Sequence, residues 1–174
     1  MRKVTLGLAT SVDNFIARAD GGVDWLRWSD DVQAITREFW KTIDSVVMGR
    51  LTYDAAVAAG MTSYPGVKNY VCSSTLADSP DPAVEIVRGD AAAFLREMKA
   101  GEGKGIAIIG GGRLADALFA EGLIDEVSLN VHPVLLGEGI PLFAGIQRQI
   151  DLELAECRTL QHGCVFVTYR VKHG

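Results

Sequence analysis

Three segments of the chain carry glycine, hydroxyl or arginine residues directly after a short apolar run. They are Gly49-Arg50-Leu51-Thr52, Ser73-Ser74 and Gly110-Gly111-Gly112. A strand that turns through glycine into a helix presents free backbone N–H groups, and these groups and the helix dipole favour an anion. Arginine adds a charged fork for phosphate oxygens. The segments predict binding of a phosphate-rich ligand such as a dinucleotide, although a tight turn without a ligand would also recruit glycine.

Short apolar runs alternate with helical patterns along most of the chain. Four helices are predicted. The first follows the N-cap Ser29 and has an apolar stripe of Val32, Ile35, Phe39 and Ile43. The others cover Tyr53–Ala59, Ala91–Lys99 after the N-cap Asp90, and the residues directly after Gly112. Strands are predicted over Lys3–Val12, Phe15–Ala17, Ser45–Met48, Val67–Cys72, Val84–Val87, Ile106–Ile109 and Ile124–Val131. Two alternating strands, Leu152–Leu160 and Val165–Val171, follow and are joined at His162-Gly163, which indicates a tight hairpin.

This order of elements predicts an α/β fold in a single domain over residues 1–174. The central sheet is expected to be mostly parallel, flanked by helices on both faces, with a C-terminal antiparallel hairpin. Ligands of such sheets bind beyond the carboxyl ends of the strands. All three glycine- and hydroxyl-bearing segments are predicted to lie at that edge.

Composition excludes several classes of protein. The chain carries 17 basic and 22 acidic residues, a net charge of −5, which argues against a dedicated nucleic-acid binder. No apolar run approaches the ~20 residues of a membrane-spanning helix, and no convincing signal peptide opens the chain, so we expect a cytoplasmic protein without a membrane partner. Cys72, Cys157 and Cys164 form no C-x-x-C pair and the histidines are scattered, which predicts free thiols and no metal site.

The same segments resemble the cofactor-binding segments of dihydrofolate reductase-like proteins, in that family's order. The start of the chain, Leu8 to Ala17, is similar to the family's first strand and the beginning of its mobile loop, with Asn14 where the family commonly has glycine. His132 to Phe143 resembles the signature of the reductase domain at the C-terminus of bifunctional riboflavin-biosynthesis deaminase/reductases. The zinc-ligand motifs of the deaminase domain are absent. The resemblance implies a stand-alone reductase-like domain of that branch.

The resemblance implies NADPH as the cofactor. Gly110, Gly111 and Gly112 would let the pyrophosphate lie against the backbone, with the amides of Arg113 and Leu114 behind it. Gly49, Arg50 and Thr52 would form a second phosphate cradle, and Ser73 and Ser74 would line the ribose 2′-phosphate, or else bond only their own turn. No acid occupies the place of a ribose-diol reader, which favours NADPH over NADH. Ala9 would line the nicotinamide face, or be an ordinary core alanine.

The substrate side carries fewer signals. In pterin-reducing relatives a carboxylate at the start of the first long helix holds the pterin and assists protonation, and Asp30 falls near that place with Asp31 beside it. A buried acid beside a nicotinamide can have a raised pKa and donate a proton. The first turn of a helix also recruits acids simply to complement the dipole. Asp30 is the candidate catalytic residue.

The activity implied is hydride transfer from NADPH to a small heterocyclic, imine or carbonyl substrate. Within that class the substrate could be the phosphoribosylaminouracil of riboflavin synthesis, or dihydrofolate, which is disfavoured because Trp25 to Asp30 lacks the usual proline-containing segment. The alternative from another class is a non-catalytic NADPH-binding or sensory module. The same resemblance implies that the C-terminal strands could form a homodimer contact. The alternative is that they form a plain hairpin at the edge of the sheet.

Overall fold

The chain folds around one sheet of eight strands, in the order β5-β4-β3-β6-β1-β7-β10-β9, as seen in a computed structural model that describes residues 1–173. A short pair, β2 with β8, lies apart from it. The strands are β1 (Val4–Ser11), β2 (Phe15–Ala17), β3 (Ile43–Gly49), β4 (Lys68–Cys72), β5 (Val84–Val87), β6 (Gly105–Ile109), β7 (Glu126–His132), β8 (Ile140–Pro141), β9 (Leu152–Thr159) and β10 (Val165–Val171). The helices are α1 (Asp30–Lys41), α2 (Arg50–Ala58), α3 (Ala91–Ala100) and α4 (Gly112–Ala120).

The first six strands in this order, β5 through β7, pair in parallel. β10 pairs antiparallel with both β7 and β9. The predicted mostly parallel sheet with a C-terminal antiparallel hairpin is therefore confirmed. The hairpin turns at His162 and Gly163, whose φ angles are 60° and 76°. Because the parallel strands point the same way, β1 and β3 to β7 all end at one edge of the sheet, here called the carboxyl edge.

Two apolar layers cover the two faces of the sheet. One packs α3 and α4 on β1, β6 and β7, through side chains that include Leu95, Leu118 and Ile124. The other packs α1 and α2 on β3 and β4, through Phe39, Tyr53 and Val46. Helices on both faces make parallel strands read as continuous apolar runs, which is why β3 and β6 could be predicted from sequence.

Several element boundaries differ from the prediction by one to three residues, and one short strand was not predicted. Ile43 continues the apolar stripe of α1 in sequence, yet it is the first residue of β3. The helix ends at its C-cap Thr42, whose N–H donates a hydrogen bond to Phe39 O at 2.9 Å. The loop after His132 contains β8, which pairs with β2 through Phe15 and Pro141. None of the helices within residues 1–173 is long and apolar enough to cross a membrane.

Candidate cofactor-binding site

Two helices begin at the carboxyl edge without a side-chain cap. Gly49 is the N-cap of α2 and Gly111 that of α4, and neither has a side chain that could accept a hydrogen bond from the N–H groups of the first turn. By contrast, the side chains of Ser29 and Asp90 cap α1 and α3. The first N–H groups of a helix have no partner within the helix. Those of α2 and α4 that make no other hydrogen bond are therefore available to an acceptor from outside, and the helix dipoles favour an anionic one.

These two helix starts lie against each other. They follow β3 and β6, which are neighbours in the sheet. A side chain added at Gly110 would overlap the side chain of Thr52, and one added at Gly49 would begin 3.7 Å from Leu114 Cβ. The structure thus brings the first and third predicted segments into direct contact.

The three consecutive glycines serve different purposes. Gly110, with φ +95°, packs against Thr52, and a side chain at Gly111 would overlap the carbonyl oxygen of Leu142. Gly112, with φ +62°, has no atom within 4 Å of the position a Cβ would take. Packing alone explains the first two glycines, and a turn that binds no ligand would need them as well. The open space at Gly112 fits the close approach of a phosphate.

The backbone amides that follow fit the same ligand. Gly112 N–H already donates to Leu142 O, at 3.1 Å. The next two N–H groups, those of Arg113 and Leu114, make no hydrogen bond to loops or side chains of residues 1–173. They are the amides that the sequence predicted to face a pyrophosphate.

Arg50 lies at the first position of α2 and is half exposed. Its Nε donates to both carboxylate oxygens of Asp54, each at 2.7 Å, one turn along the helix. This ion pair uses Nε alone, so the terminal guanidinium nitrogens have no partner within the described chain. Those nitrogens therefore remain available to a phosphate, which a guanidinium group can bind through two of its N–H groups.

Ser73 and Ser74 follow β4, the neighbour of β3 on the other side. Ser73 Oγ accepts from the N–H groups of Thr75 and Leu76, at 3.2 and 3.0 Å, so it closes its own turn. Ser74 is exposed, and its hydroxyl makes no hydrogen bond to residues 1–173. Of the two predicted serines, Ser74 therefore has the hydroxyl that is available to a ligand.

Arg88 is a basic residue that the sequence analysis did not single out. It follows β5, whose partner is β4, and its guanidinium donates to the carbonyl oxygens of Leu76 and Ala77. Arg88 therefore braces the turn that carries Ser74 and places positive charge beside it. Its position directly after a predicted strand was the available signal, but the adjacency of β4 and β5 had to be known to use it.

A gap opens beside Ala9. The pairing of β1 with β6 ends at Leu6 and Ile108, whereas the pairing of β1 with β7 continues to Ser11 and His132. Beyond Leu6 strand β1 has no partner on the side of β6, which ends at Ile109, and the half-buried Ala9 lies on this unpaired part of β1. A small side chain next to a gap between parallel strands fits a flat ring such as nicotinamide.

The loop of residues 133–143 closes the other side of this gap. Asp13 accepts from the N–H groups of Leu136 and Gly137, at 3.1 and 2.8 Å, and Leu142 N–H donates to Asn14 O at 2.9 Å. The hydrogen bond from Ser11 and these amide bonds lower the pKa of Asp13. The loop is thus fixed both to the turn after β1 and to α4.

The two candidate acids at the start of α1 differ in their surroundings. Asp30 is exposed and forms no hydrogen bond through its side chain with residues 1–173. Asp31 is half-buried, and its pKa is lowered by hydrogen bonds from Ser29 and from the backbone N–H of Gln161. A lowered pKa suits a structural carboxylate that ties α1 to the hairpin. The role of Asp30 stays a prediction.

His132 is packed and hydrogen-bonded. It is 1% exposed, and its Nδ1 accepts from the backbone N–H of Arg27 at 3.1 Å. Burial, with the charge of Arg27, lowers the pKa of His132. The ring is therefore neutral at pH 7 and anchors the irregular segment before α1.

The cysteines of the described chain are free thiols, as predicted. Burial raises the pKa of Cys72 to about 11. Within residues 1–173, no group of three or more histidine, cysteine or acidic residues is placed to hold a metal ion.

The arrangement of two adjoining helix starts beside a gap in a parallel sheet can be compared with known proteins. A family model described as the RibD C-terminal domain matches residues 2–166. The chain belongs to the RibD C-terminal domain family. The predicted branch is therefore confirmed.

Members of this RibD C-terminal domain family with similar sequences include two proteins of Bacillus subtilis strain 168. The uncharacterized protein YwjB is 34% identical over 155 residues, which cover 88% of this chain and 89% of YwjB. The uncharacterized protein YyaP is 30% identical over 180 residues, covering 97% and 94%. Both relatives match this chain along most of their own length.

Solved structures share the fold of this chain. A putative riboflavin biosynthesis protein from Shewanella sp. PV-4 has a TM-score of 0.84 and 27% identity, with 99% of this chain and 100% of that chain covered. The diaminohydroxyphosphoribosylaminopyrimidine deaminase/5-amino-6-(5-phosphoribosylamino)uracil reductase of Thermotoga maritima has a TM-score of 0.72 and 15% identity. The match covers 98% of this chain but only 57% of that protein. The second likeness shows the dihydrofolate reductase-like fold alone.

Proposed function

We propose that this member of the RibD C-terminal domain family is an NADPH-dependent reductase that acts on a small heterocyclic, imine or carbonyl substrate. One observation supports the proposal above the others: the uncapped starts of α2 and α4 adjoin beside the gap between β1 and β6. A dinucleotide needs its phosphates held at one end and a flat slot for its nicotinamide at the other. The carboxyl edge offers both within one groove.

NADPH, when bound, supplies the hydride, and the chain supplies binding and orientation. The first-turn amides of α2 and α4 and the guanidinium of Arg50 hold the phosphates. Ser74 and Arg88, which follow β4 and β5, would bind the ribose phosphate. Ala9 leaves room for the ring to lie flat against β1. Fixing donor and acceptor in this way lowers the entropic part of the barrier.

Titration with NADPH, followed by calorimetry or fluorescence, tests the proposal. Arg50→Ala is expected to weaken NADPH binding by about tenfold or more, because a charge-assisted hydrogen bond to phosphate is lost. The variant should also narrow the preference for NADPH over NADH. Arg37→Ala, which removes an exposed arginine from the middle of α1, is the matched control and should bind NADPH as the parent does.

Wild-type protein that binds no NADPH at high micromolar concentration would contradict the proposal. So would equal losses in the two arginine variants, because the effect would then reflect net charge rather than the position of Arg50.

A non-catalytic NADPH-binding module is the second candidate. It is favoured by the surroundings of the two acids at the start of α1, since Asp30 is exposed and Asp31 is engaged in structural hydrogen bonds. Such a module would bind NADPH without oxidising it in the presence of any electrophile of a broad panel. NADPH oxidation that depends on one of those compounds would identify a reductase. Asp30→Asn then decides whether Asp30 or water supplies the proton.

We further propose that the chain forms a homodimer through its last two strands. β9 is the outer strand of the sheet and pairs only with β10. Leu152 and Leu154 are 42% and 57% exposed on it. An exposed apolar edge strand is a site where another chain can pair, which natural proteins usually cover or charge.

A further inference from the structure

Two buried side chains and one half-buried side chain meet at the end of β7, on the face of the sheet that α1 covers. They are Trp25, Asn130 and His132. The indole of Trp25 meets the imidazole of His132 edge-on, with ring centroids 5.4 Å apart and an interplanar angle of 90°. The amide of Asn130 lies 3.1 Å from His132 Nε2. Trp25 is 7% exposed and His132 1%.

The hydrogen bonds of His132 determine which way the Asn130 amide faces. Nδ1 accepts from Arg27 N–H, so it carries no proton, and the proton of the neutral ring lies on Nε2. The Asn130 atom next to Nε2–H must therefore be the amide oxygen, because two donors would otherwise oppose each other. The amide nitrogen then takes the outer position.

Two buried donors result, and neither has an acceptor. Trp25 Nε1 and the outer atom of the Asn130 amide are both buried without a hydrogen-bond partner among residues 1–173. Buried polar groups in folded proteins are nearly always paired, and an unpaired N–H is rarer than an unpaired carbonyl. Both donors belong to side chains that contact the imidazole of His132. Together they indicate a place for an oxygen atom of a ligand.

The position of these donors relates them to the proposed cofactor groove. Asn130 is the register partner of Ala9 on β1, so their side chains share one face of the sheet. Ala9 is the residue predicted to line the nicotinamide. The donors therefore lie next to the place where a hydride acceptor would be held.

We propose that Trp25 and Asn130 bind a ring carbonyl oxygen of a planar heterocyclic substrate, and that His132 is the positioning residue that turns the Asn130 nitrogen toward it. The proposal rests on the proposed reductase function and adds a selectivity to it. A carbonyl oxygen satisfies both donors. An amino group at the same ring position would set donor against donor and leave buried N–H groups unpaired, which is a strong basis for rejection.

Binding of two matched probes tests the selectivity. Pterin carries a ring carbonyl where diaminopteridine carries an amino group. Calorimetric titration of the full chain, with and without NADPH, is expected to show pterin binding at least tenfold more tightly. Trp25→Phe keeps the ring and removes the donor, and should lose most of that preference. Trp28→Phe is the matched control, because Trp28 is 62% exposed, and should keep the preference.

Asn130→Asp provides a second, independent variant. Its side chain keeps an oxygen toward His132 Nε2–H but replaces the outer nitrogen by oxygen, so the preference should reverse in favour of diaminopteridine. Equal binding of the two probes by the parent, no binding of either at millimolar concentration, or a preference unchanged in both variants would overturn the proposal. Failure to bind NADPH would contradict the reductase function alone, because the probes are also compared without it.

Discussion

At the level of single residues, the consecutive glycines separate a requirement of packing from a requirement of binding. Gly110→Ala places a methyl group into Thr52 and forces φ +95° on a residue with a Cβ. We expect it to lower the free energy of unfolding by about 2 kcal/mol or more. Gly112→Ala meets no neighbour, so only the cost of φ +62° remains, about 1 kcal/mol. Urea unfolding measures both, and NADPH titration should show binding weakened in Gly112→Ala.

Gly21→Ala is the control for this comparison. Gly21 has φ +87° and also no neighbour within 4 Å of an added Cβ, but it lies in the turn after β2. It should lose about as much stability as Gly112→Ala while NADPH binding is unaffected. If both variants bind NADPH as the parent does, Gly112 does not contact the phosphates.

At the level of elements, His132 links the segment before α1 to β7 in a way that depends on pH. Nδ1 can accept from Arg27 N–H only while the ring is neutral, and burial lowers the pKa of His132 below its ordinary value of 6.5. The unfolded chain therefore takes up a proton at a higher pH than the folded chain does. Stability should be complete above pH 6.5 and fall as the pH drops from there through the folded pKa of His132.

Urea unfolding between pH 4.5 and 7.5 measures this dependence. His132→Gln, which cannot be protonated, should flatten the curve over that range, whereas His162→Asn in the exposed hairpin turn should leave its slope unchanged. The neighbouring thiol of Cys164 does not contribute, because burial raises its pKa above its ordinary value and away from this window. A curve for His132→Gln that is as steep as that of the parent would contradict the assignment.

Most elements were predictable because their patterns are local. The apolar runs of β3 and β6 and the caps Ser29 and Asp90 stand next to the elements they define. The partners of the site were not predictable, because they come from distant parts of the chain. Leu142 O accepts a hydrogen bond from Gly112 N–H, and Arg27 N–H donates one to His132. These partners are far apart in sequence, and the fold brings them together. The family resemblance allowed the cofactor-binding residues to be predicted. The substrate-binding residues form no comparable local motif.

At the level of the whole molecule, the sheet has two specialised ends. The carboxyl edge gathers the candidate binding residues, and the outer strand β9 exposes apolar side chains that the hairpin alone does not cover. On β9, only Glu156 of Leu152–Thr159 is even partly buried. A strand of this length that stayed open would be an aggregation hazard, which is the physical reason to expect a partner there.

The mass of the particle in solution tests that expectation. Light scattering coupled to size exclusion should give twice the chain mass of 18.7 kDa at micromolar concentration. Leu154→Glu should shift the protein to the monomer, because a twofold contact would bring two carboxylates together in an apolar interface. Leu135→Glu is the control, since Leu135 is 71% exposed on the loop after β7 and lies outside the hairpin. A parent that runs as the monomer at every concentration would show that β9 remains a plain edge strand.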